Sequence, residues 1–431
     1  MSKSPLAAVR GMNDIFPVES ARWQRLEYAF REVLRLYGCG EIRLPIVEHS
    51  ALFARAIGDV TDIVQKEMYT FADRNGDSLT LRPEGTAGVV RALIEHSALR
   101  GQTPRLYYIG PMFRHERPQR GRYRQFHQLG VEFFGVAGPS ADAEIIALSA
   151  RLLAAAGVSA RLQLNSLGTP SSRAEYRTLL LDFLRPKVSA LCGDCQERLE
   201  RNPLRVLDCK IESCQEVAAT APRLLDHLDA ESAEHFSLLQ HLLRGLGIEY
   251  EINPRLVRGL DYYHRTVFEW VAEGLGSQGT VLAGGRYDGL VAQLGGPETP
   301  AIGFATGMER LLALTESDNN ASAGVELFVG ALDETALLSA MQKAETLRAQ
   351  GLTVITGGPA PFKALLKQAQ RSAAHYQVVV GADDLQGGEV LLKEQEGNGV
   401  WRGPWQQLSG GLQSLGVDLP LAGPHTTRQS F

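Results

Sequence analysis

Long apolar runs are missing from this 431-residue sequence. No window approaches the roughly 18 uninterrupted apolar residues that a membrane span needs, so no membrane association is expected. The N-terminus, MSKSPLAAVRGMNDIFPVES, has no basic stretch followed by a long apolar segment, so no secretory leader is expected either. Cysteine is scarce. Five cysteines in so long a chain do not make a disulfide framework, and their odd number fits a reducing, cytoplasmic setting. Positive charge is not in excess: 44 Lys and Arg stand against 49 Asp and Glu, the net charge is −5, and the isoelectric point is about 6.1. That balance excludes a protein that coats nucleic acid over a whole basic face. Any nucleic-acid contact must be local and shaped.

At 47.0 kDa the chain exceeds one ordinary core, and two or three domains are expected. Residues 18–37 carry apolar positions at helical spacing and end at Gly38, and EIRLPIVEHSALF then reads as strand-like, broken at Pro45. Residues 105–135 read as two strands, RLYYIGPMFRHE and YRQFHQLGVEFFG, joined by a charged glycine-containing turn. Helices are expected at 141–156 and 223–246, a cysteine-bearing insertion at 187–216, and a strand at 265–272. The polar segment TESDNNASAG, 315–324, is a linker. Beyond it, ELFVGAL, TALLSAMQKAETLRAQ, LTVITG, FKALLKQAQRSAAH and QVVVGA alternate as βαβαβ, which predicts a small α/β domain with a largely parallel sheet. Residues 416–431 are expected to be a disordered tail.

The chemistry concentrates in FRHERPQRGRYRQFHQLGVEFFG, 113–135. Five arginines (Arg114, Arg117, Arg120, Arg122, Arg124) fall within eleven residues, leading into a strand that carries Gln128 and Glu132. Side chains alternate along a strand. Tyr108, Gly110, Met112, Arg114 and Glu116 therefore share one face of the first strand, and Arg124, Phe126, Gln128, Gly130 and Glu132 share one face of the second. If the two faces coincide, they suit an amphoteric ligand bearing phosphate: arginine grips phosphate, the ring stacks a purine, and carboxylates bind an ammonium. A solvated charged hairpin is the bland alternative. Gln128 and Glu132 speak against it, because polar groups idle among FHQLGVEFFG would be costly. Four shorter stretches accompany the hairpin: LRPEGT (81–86), LVRGLDYYHRTVFEW (256–270), AGGRYDGL (283–290) and GFATGMERL (303–311).

Taken together and in order, these stretches resemble the class II histidyl-tRNA synthetases, over residues 5–315 and more weakly from 325 to about 395. The resemblance implies an α+β fold, with an antiparallel sheet flanked by helices and a small, mostly parallel C-terminal α/β domain. It implies a catalytic domain over 1–320 with a helical insertion at about 170–245, and an anticodon-binding-type domain over 325–415. It also implies ATP with Mg²⁺, L-histidine and tRNA as ligands. Arg114 then meets the α-phosphate, Glu116 the adenine amino group and Phe126 the purine face, while Arg310 takes the γ-phosphate. Glu84, Thr86 and Gln128 surround the substrate ammonium and carboxylate. Glu132 and Tyr263 read the imidazole nitrogens, with Tyr262 and Tyr287 beside them. Arg258 stands near the α-phosphate as a catalytic group with Arg114 and Gln128. Gln119, Arg120 and Arg122, in the hairpin loop, face the tRNA acceptor end. The segment around Pro45 implies a homodimer.

Three expectations remain. Cys192-x2-Cys195 and Cys209-x4-Cys214 have a spacing that could close a zinc site, but zinc is not general in the family, so unliganded thiols and no zinc requirement are expected. A non-catalytic paralogue that regulates histidine biosynthesis is the alternative function; such paralogues usually lack the C-terminal domain and an intact RGLDYY, and both are present here. Lastly, residues 325–431 hold eight Lys and Arg against ten Asp and Glu and depart from the family pattern, so relaxed anticodon recognition is expected. Trp401 and Trp405 are weighed there as base-stacking or packing residues.

Overall fold

The structure is a computed structural model that describes residues 6–58, 61–119, 121–257, 260, 262–275, 279–315 and 325–419. The chain divides into two compact units, residues 1–317 and 318–431.

Among the described residues, the first unit is built on an eight-stranded sheet. In spatial order its strands are Gly40–Glu41, Arg105–Phe113, Gln125–Phe134, Ala301–Gly307, Thr280–Arg286, His264–Val271, Arg161–Ser166 and Glu251–Ile252. The six inner strands are antiparallel, and one short parallel strand closes each edge. Alternation divides the sheet chemically. On one face Leu129, Val131, Phe133, Phe268, Trp270 and Phe304 belong to a core shared with the helices Pro17–Leu36, Pro139–Ala155 and Ala230–Gly245. The opposite face carries the candidate site.

Local sequence explains the elements. The helix Pro17–Leu36 buries Trp23, Leu26, Phe30 and Leu34, a three-and-four spacing that keeps one stripe inward. It stops where Gly38 takes a left-handed φ of +68°. Two expectations are corrected. The helix expected over 223–246 begins at Ala230, because Asp229 accepts the Ser232 amide at 2.8 Å as an N-cap; Leu224–His227 is a separate 3₁₀ turn. The strand-like run after Pro45 is strand only at Val47–His49, and SALF opens the helix Ser50–Ile57. That strand joins Tyr69–Ala72 and Ser78–Leu81 in a three-stranded antiparallel sheet.

The second unit is a five-stranded sheet among its described residues. Val354–Gly357, Leu327–Ala331 and Tyr376–Val380 are parallel and connected by the helices Glu334–Ala349 and Phe362–Arg371. Glu389–Glu394 and Val400–Pro404 extend the sheet antiparallel, strands the sequence pattern did not reveal. Trp405 is buried and donates its indole N–H to Ser339 Oγ at 2.9 Å, so it is a packing residue and not a base-stacking one. Residues 416–419 are not a disordered tail as expected, since Val417 and Leu419 pack on the core, and residues 420–431 lie outside the described residues.

Candidate active site

The hairpin register pairs Tyr108 with Gly130, Gly110 with Gln128 and Met112 with Phe126, so the two chemistry-bearing faces coincide. The next strand sets Gly303 against Glu132, Ala305 against Gly130 and Gly307 against Gln128, and beyond it Gly285 pairs with Gly303. The result is a floor of glycine and alanine from which long polar side chains rise. The small residues are sterically required. A Cβ on Gly303 would strike the Glu132 carboxylate and come within 2.5 Å of the Val131 carbonyl oxygen, and one on Gly130 would strike the Tyr108 ring.

Above this floor lies a cavity of about 830 Å³, whose wall includes Arg114, Glu116, Arg122, Phe126, Gln128 and Arg310. Arg114 is held by its Nε, which donates to the Pro83 carbonyl at 2.8 Å, and its guanidinium carbon lies 5.4 Å from the centre of the Phe126 ring. Arg122 donates to Glu116 at 3.2 Å. Burial and then the nearby charge of Arg122 push the pKa of Arg310 down. Arg114 also faces Glu116 at 3.9 Å, so carboxylates meet part of this charge, and guanidinium groups held at a cavity wall are of the kind that grips phosphate. Among the described residues the buried Gln128 carbonyl oxygen has no hydrogen-bond partner, a polar atom poised for a ligand.

Farther along the same sheet face is a second, buried group. Glu132 accepts hydrogen bonds from the Thr86 hydroxyl at 2.7 Å and from the Tyr287 hydroxyl. Burial raises its pKa to about 8, opposed by these two donors. Glu84 is buried too, and accepts the Thr86 and Ala87 amides at 2.7 and 2.9 Å at the start of the helix Thr86–Glu95. That arrangement fixes the LRPEGT turn by capping, whatever else Glu84 does. Tyr262, Tyr263 and Tyr287 form a buried cluster, with ring centres 4.7 Å apart for the first pair and 5.6 and 6.4 Å from Tyr287.

The structure thus divides the expected residues into a cavity set and a buried set that meet across the glycine floor. Gln119 is exposed in the hairpin loop and bridges backbone to backbone with Arg122. Arg120 and Arg258 lie outside the described residues. Several residues were missed. Glu309 accepts the His127 amide at 2.9 and 3.0 Å and lines the cavity, tying the helix start beside Arg310 to the hairpin; its position directly before Arg310 was the available signal. Glu269 lines the cavity opposite Ala283, and Arg198, Arg205 and Lys210 reach it from the insertion. No local pattern marks those four. In GGRYDG, Arg286 and Asp288 turn out to be scaffolding. The fully buried Arg286 pairs with Asp142 and donates to the Val136 and Gly138 carbonyls, while Asp288 accepts the Ala301 amide at 2.8 Å. Together they hold Tyr287 between two fixed points.

The four insertion cysteines, whose spacing could close a zinc site and which were expected as unliganded thiols, come together: their sulfur atoms lie within 4.8 Å of one another.

Comparison with known proteins places this architecture. The structure of histidyl-tRNA synthetase from S. aureus superposes with a TM-score of 0.77 at 36% identity, covering 94% of this chain and 99% of that one. The fold is that of an aminoacyl-tRNA synthetase. A Bacillus halodurans structure described as an ATP phosphoribosyltransferase regulatory subunit/histidyl-tRNA synthetase shares the fold at 22% identity, with a TM-score of 0.64 over 88% of this chain and 99% of that one. The sequence profile of histidyl-tRNA synthetase matches residues 11–311, and the histidine–tRNA ligase of Halorhodospira halophila is 54% identical over 402 residues, 92% of this chain and 95% of that protein. The chain belongs to the histidyl-tRNA synthetase family.

Proposed function

We propose that this chain activates L-histidine with ATP and passes the histidyl group to the 3′ end of a histidine-accepting tRNA. The observation that carries the reading is a cavity over one sheet face, lined by Arg114, Arg122 and Arg310, with the buried carboxylate of Glu132 on that face. In the first step a carboxylate oxygen of histidine attacks the α-phosphorus and pyrophosphate leaves. Charge grows on the phosphate oxygens, and fixed guanidinium groups stabilise it without reorganising. Arg114 is assigned to the α-phosphate, Arg310 to the γ-phosphate and Phe126 to the purine, with Glu116 on its amino group. Arg258 is assigned beside the α-phosphate by resemblance alone. Glu84, Thr86 and Gln128 would surround the ammonium and carboxylate of histidine.

Glu132, with Tyr262, Tyr263 and Tyr287, supplies imidazole selection: a buried acceptor left unmet by other side chains rejects them. Mg²⁺ prefers oxygen donors, and Glu116, Glu269 and Glu309 put three carboxylates on the cavity wall. It would ride on the nucleotide phosphates and neutralise their charge. Gln119, Arg120 and Arg122 are assigned to the acceptor end of tRNA, and the second unit to the anticodon loop. A cytoplasmic homodimer fits this reading. Among the described residues no helix is long and apolar enough to cross a membrane, and Ile46 and Val47, next to Pro45, are 43% and 40% exposed.

The test is histidine-dependent exchange of labelled pyrophosphate into ATP. The expected result is Mg²⁺-dependent exchange with histidine alone among amino acids, and a loss of roughly a hundredfold or more in Arg258→Ala. A folded chain that binds histidine but catalyses no exchange would favour the regulatory-paralogue reading instead.

A further inference from the structure

The insertion contains a feature that amino-acid activation does not use. Cys192 caps the helix Gly193–Arg201 and Cys195 lies in its first turn; Cys209 follows the 3₁₀ turn Pro203–Val206, and Cys214 lies in the first turn of the helix Glu212–Ala219. Three of the four are buried and Cys192 is half-buried; none is in a disulfide. Their sulfur atoms all lie within 4.8 Å of one another, with Cys192 and Cys209 3.9 Å apart. Four sulfurs at about 2.3 Å from a central ion stand about 3.8 Å apart along each edge of the tetrahedron, close to the observed separation and well beyond the roughly 2.05 Å of a disulfide. The Cys192 amide donates to Cys214 Sγ at 3.2 Å, which ties the two cysteine-bearing segments together.

We propose that Cys192, Cys195, Cys209 and Cys214 bind one structural zinc ion, tetrahedrally and with no open position. Each thiol gives up its proton on binding, leaving a centre of net charge −2, and the Arg198 guanidinium lies beside Cys195 to balance part of it. The elements so joined are short. Helices of 9 and 8 residues and two 3₁₀ turns cannot bury much apolar area alone, so a metal clip supplies what their core lacks. The clip also sets one wall of the cavity. Cys209 lines it, and Arg198, Arg205 and Lys210 reach it from the same segment; Arg198 and Arg205 are ion-paired with Asp62 at 3.3 and 3.7 Å. Zinc would therefore hold this charged, ion-paired wall of the cavity in place, although the metal takes no part in the chemistry.

The test is elemental analysis of the full-length chain purified without chelator. The expected result is about one zinc per chain. Replacement by Co²⁺ should give the intense visible bands and the thiolate-to-metal charge-transfer band of a tetrahedral four-thiolate site. Cys192→Ser and Cys214→Ser should each lower zinc content at least about fivefold, whereas Cys39→Ser, outside the cluster, should leave it unchanged. If the cluster variants do not fold, the unaltered chain still decides. Displacing the metal with a mercurial reagent should release about one zinc as the cluster thiols are titrated. Zinc absent after growth and refolding with added zinc, with the thiols freely reactive, would overturn the proposal. So would a mass showing the four cysteines paired as disulfides.

Discussion

In the proposed reaction, Glu132 is the residue on which selection and stability pull against each other. Burial holds its carboxyl protonated up to about 8, against an ordinary value of 4.5. Between those values the folded chain keeps a proton that the unfolded chain has released, so stability is fully present below about pH 4.5 and is lost as pH rises towards 8. The loss is on the order of a few kcal/mol. An imidazole N–H hydrogen-bonded to Glu132 favours the ionised form, so histidine binding near pH 7 should release a proton. Calorimetry in buffers of different ionisation enthalpy should detect that release, and affinity should fall between pH 8 and pH 7. In Glu132→Gln the release should vanish and the chain should be more stable at pH 8, while histidine binds about tenfold or more weakly. Equal proton release by both proteins would remove Glu132 from the imidazole. The sequence made Glu132 conspicuous as a carboxylate amid FHQLGVEFFG; that Thr86 and Tyr287 donate to it depends on three segments far apart in the chain.

At the scale of elements, periodicity was a good guide wherever one face is buried. The hairpin falls at Arg105–Phe113 and Gln125–Phe134, and the alternating segments after 325 become strands and helices in the order read. Reading failed where no buried stripe marks the chain. The strands Glu389–Glu394 and Val400–Pro404 bury only alternate residues of a charged, glycine-rich segment. The convergence of four cysteines depends on how short helices fold back, which spacing alone does not encode. Nor did spacing reveal how far the glycine floor extends. Gly303 opens the small-residue run before Glu309 and Arg310, and it lies mid-strand against Glu132, whose carboxylate occupies its Cβ position. Gly303→Ala should therefore displace the Glu132 side chain and strain the sheet. It should destabilise by roughly 1–3 kcal/mol and abolish histidine-dependent exchange, whereas Gly38→Ala, at a helix end, should lower stability without touching exchange. Denaturant unfolding and pyrophosphate exchange measured on both variants separate the two effects. Normal exchange in Gly303→Ala would show that Glu132 is free to move.

For the whole molecule, the open question is which parts of a tRNA the chain reads. The second unit is proposed to meet the anticodon loop, yet from 325 to the end it holds eight Lys and Arg against ten Asp and Glu. A surface that grips an RNA loop ordinarily draws much of its affinity from phosphate neutralisation. Base stacking does not obviously compensate, since Trp405 is buried and Trp401 is half-buried, its ring occupying the space where a Cβ on Gly403 or Gly411 would lie. In the first unit Arg122 on the hairpin and Arg198, Arg205 and Lys210 on the insertion line one cavity, beside Asp62, Glu116 and Asp208. Discrimination should follow charge. Charging efficiency should fall steeply, roughly a hundredfold, for a histidine tRNA with its terminal base pair altered, and only a few-fold for one with its anticodon replaced. The weak anticodon term should also depend little on salt, because few phosphates are neutralised there, while acceptor-end binding should weaken as salt rises. Charging assays on the two altered tRNAs, repeated at low and high salt, measure both quantities. If the anticodon swap costs as much as the acceptor change, the second unit reads its loop through uncharged contacts, and the argument from charge is wrong.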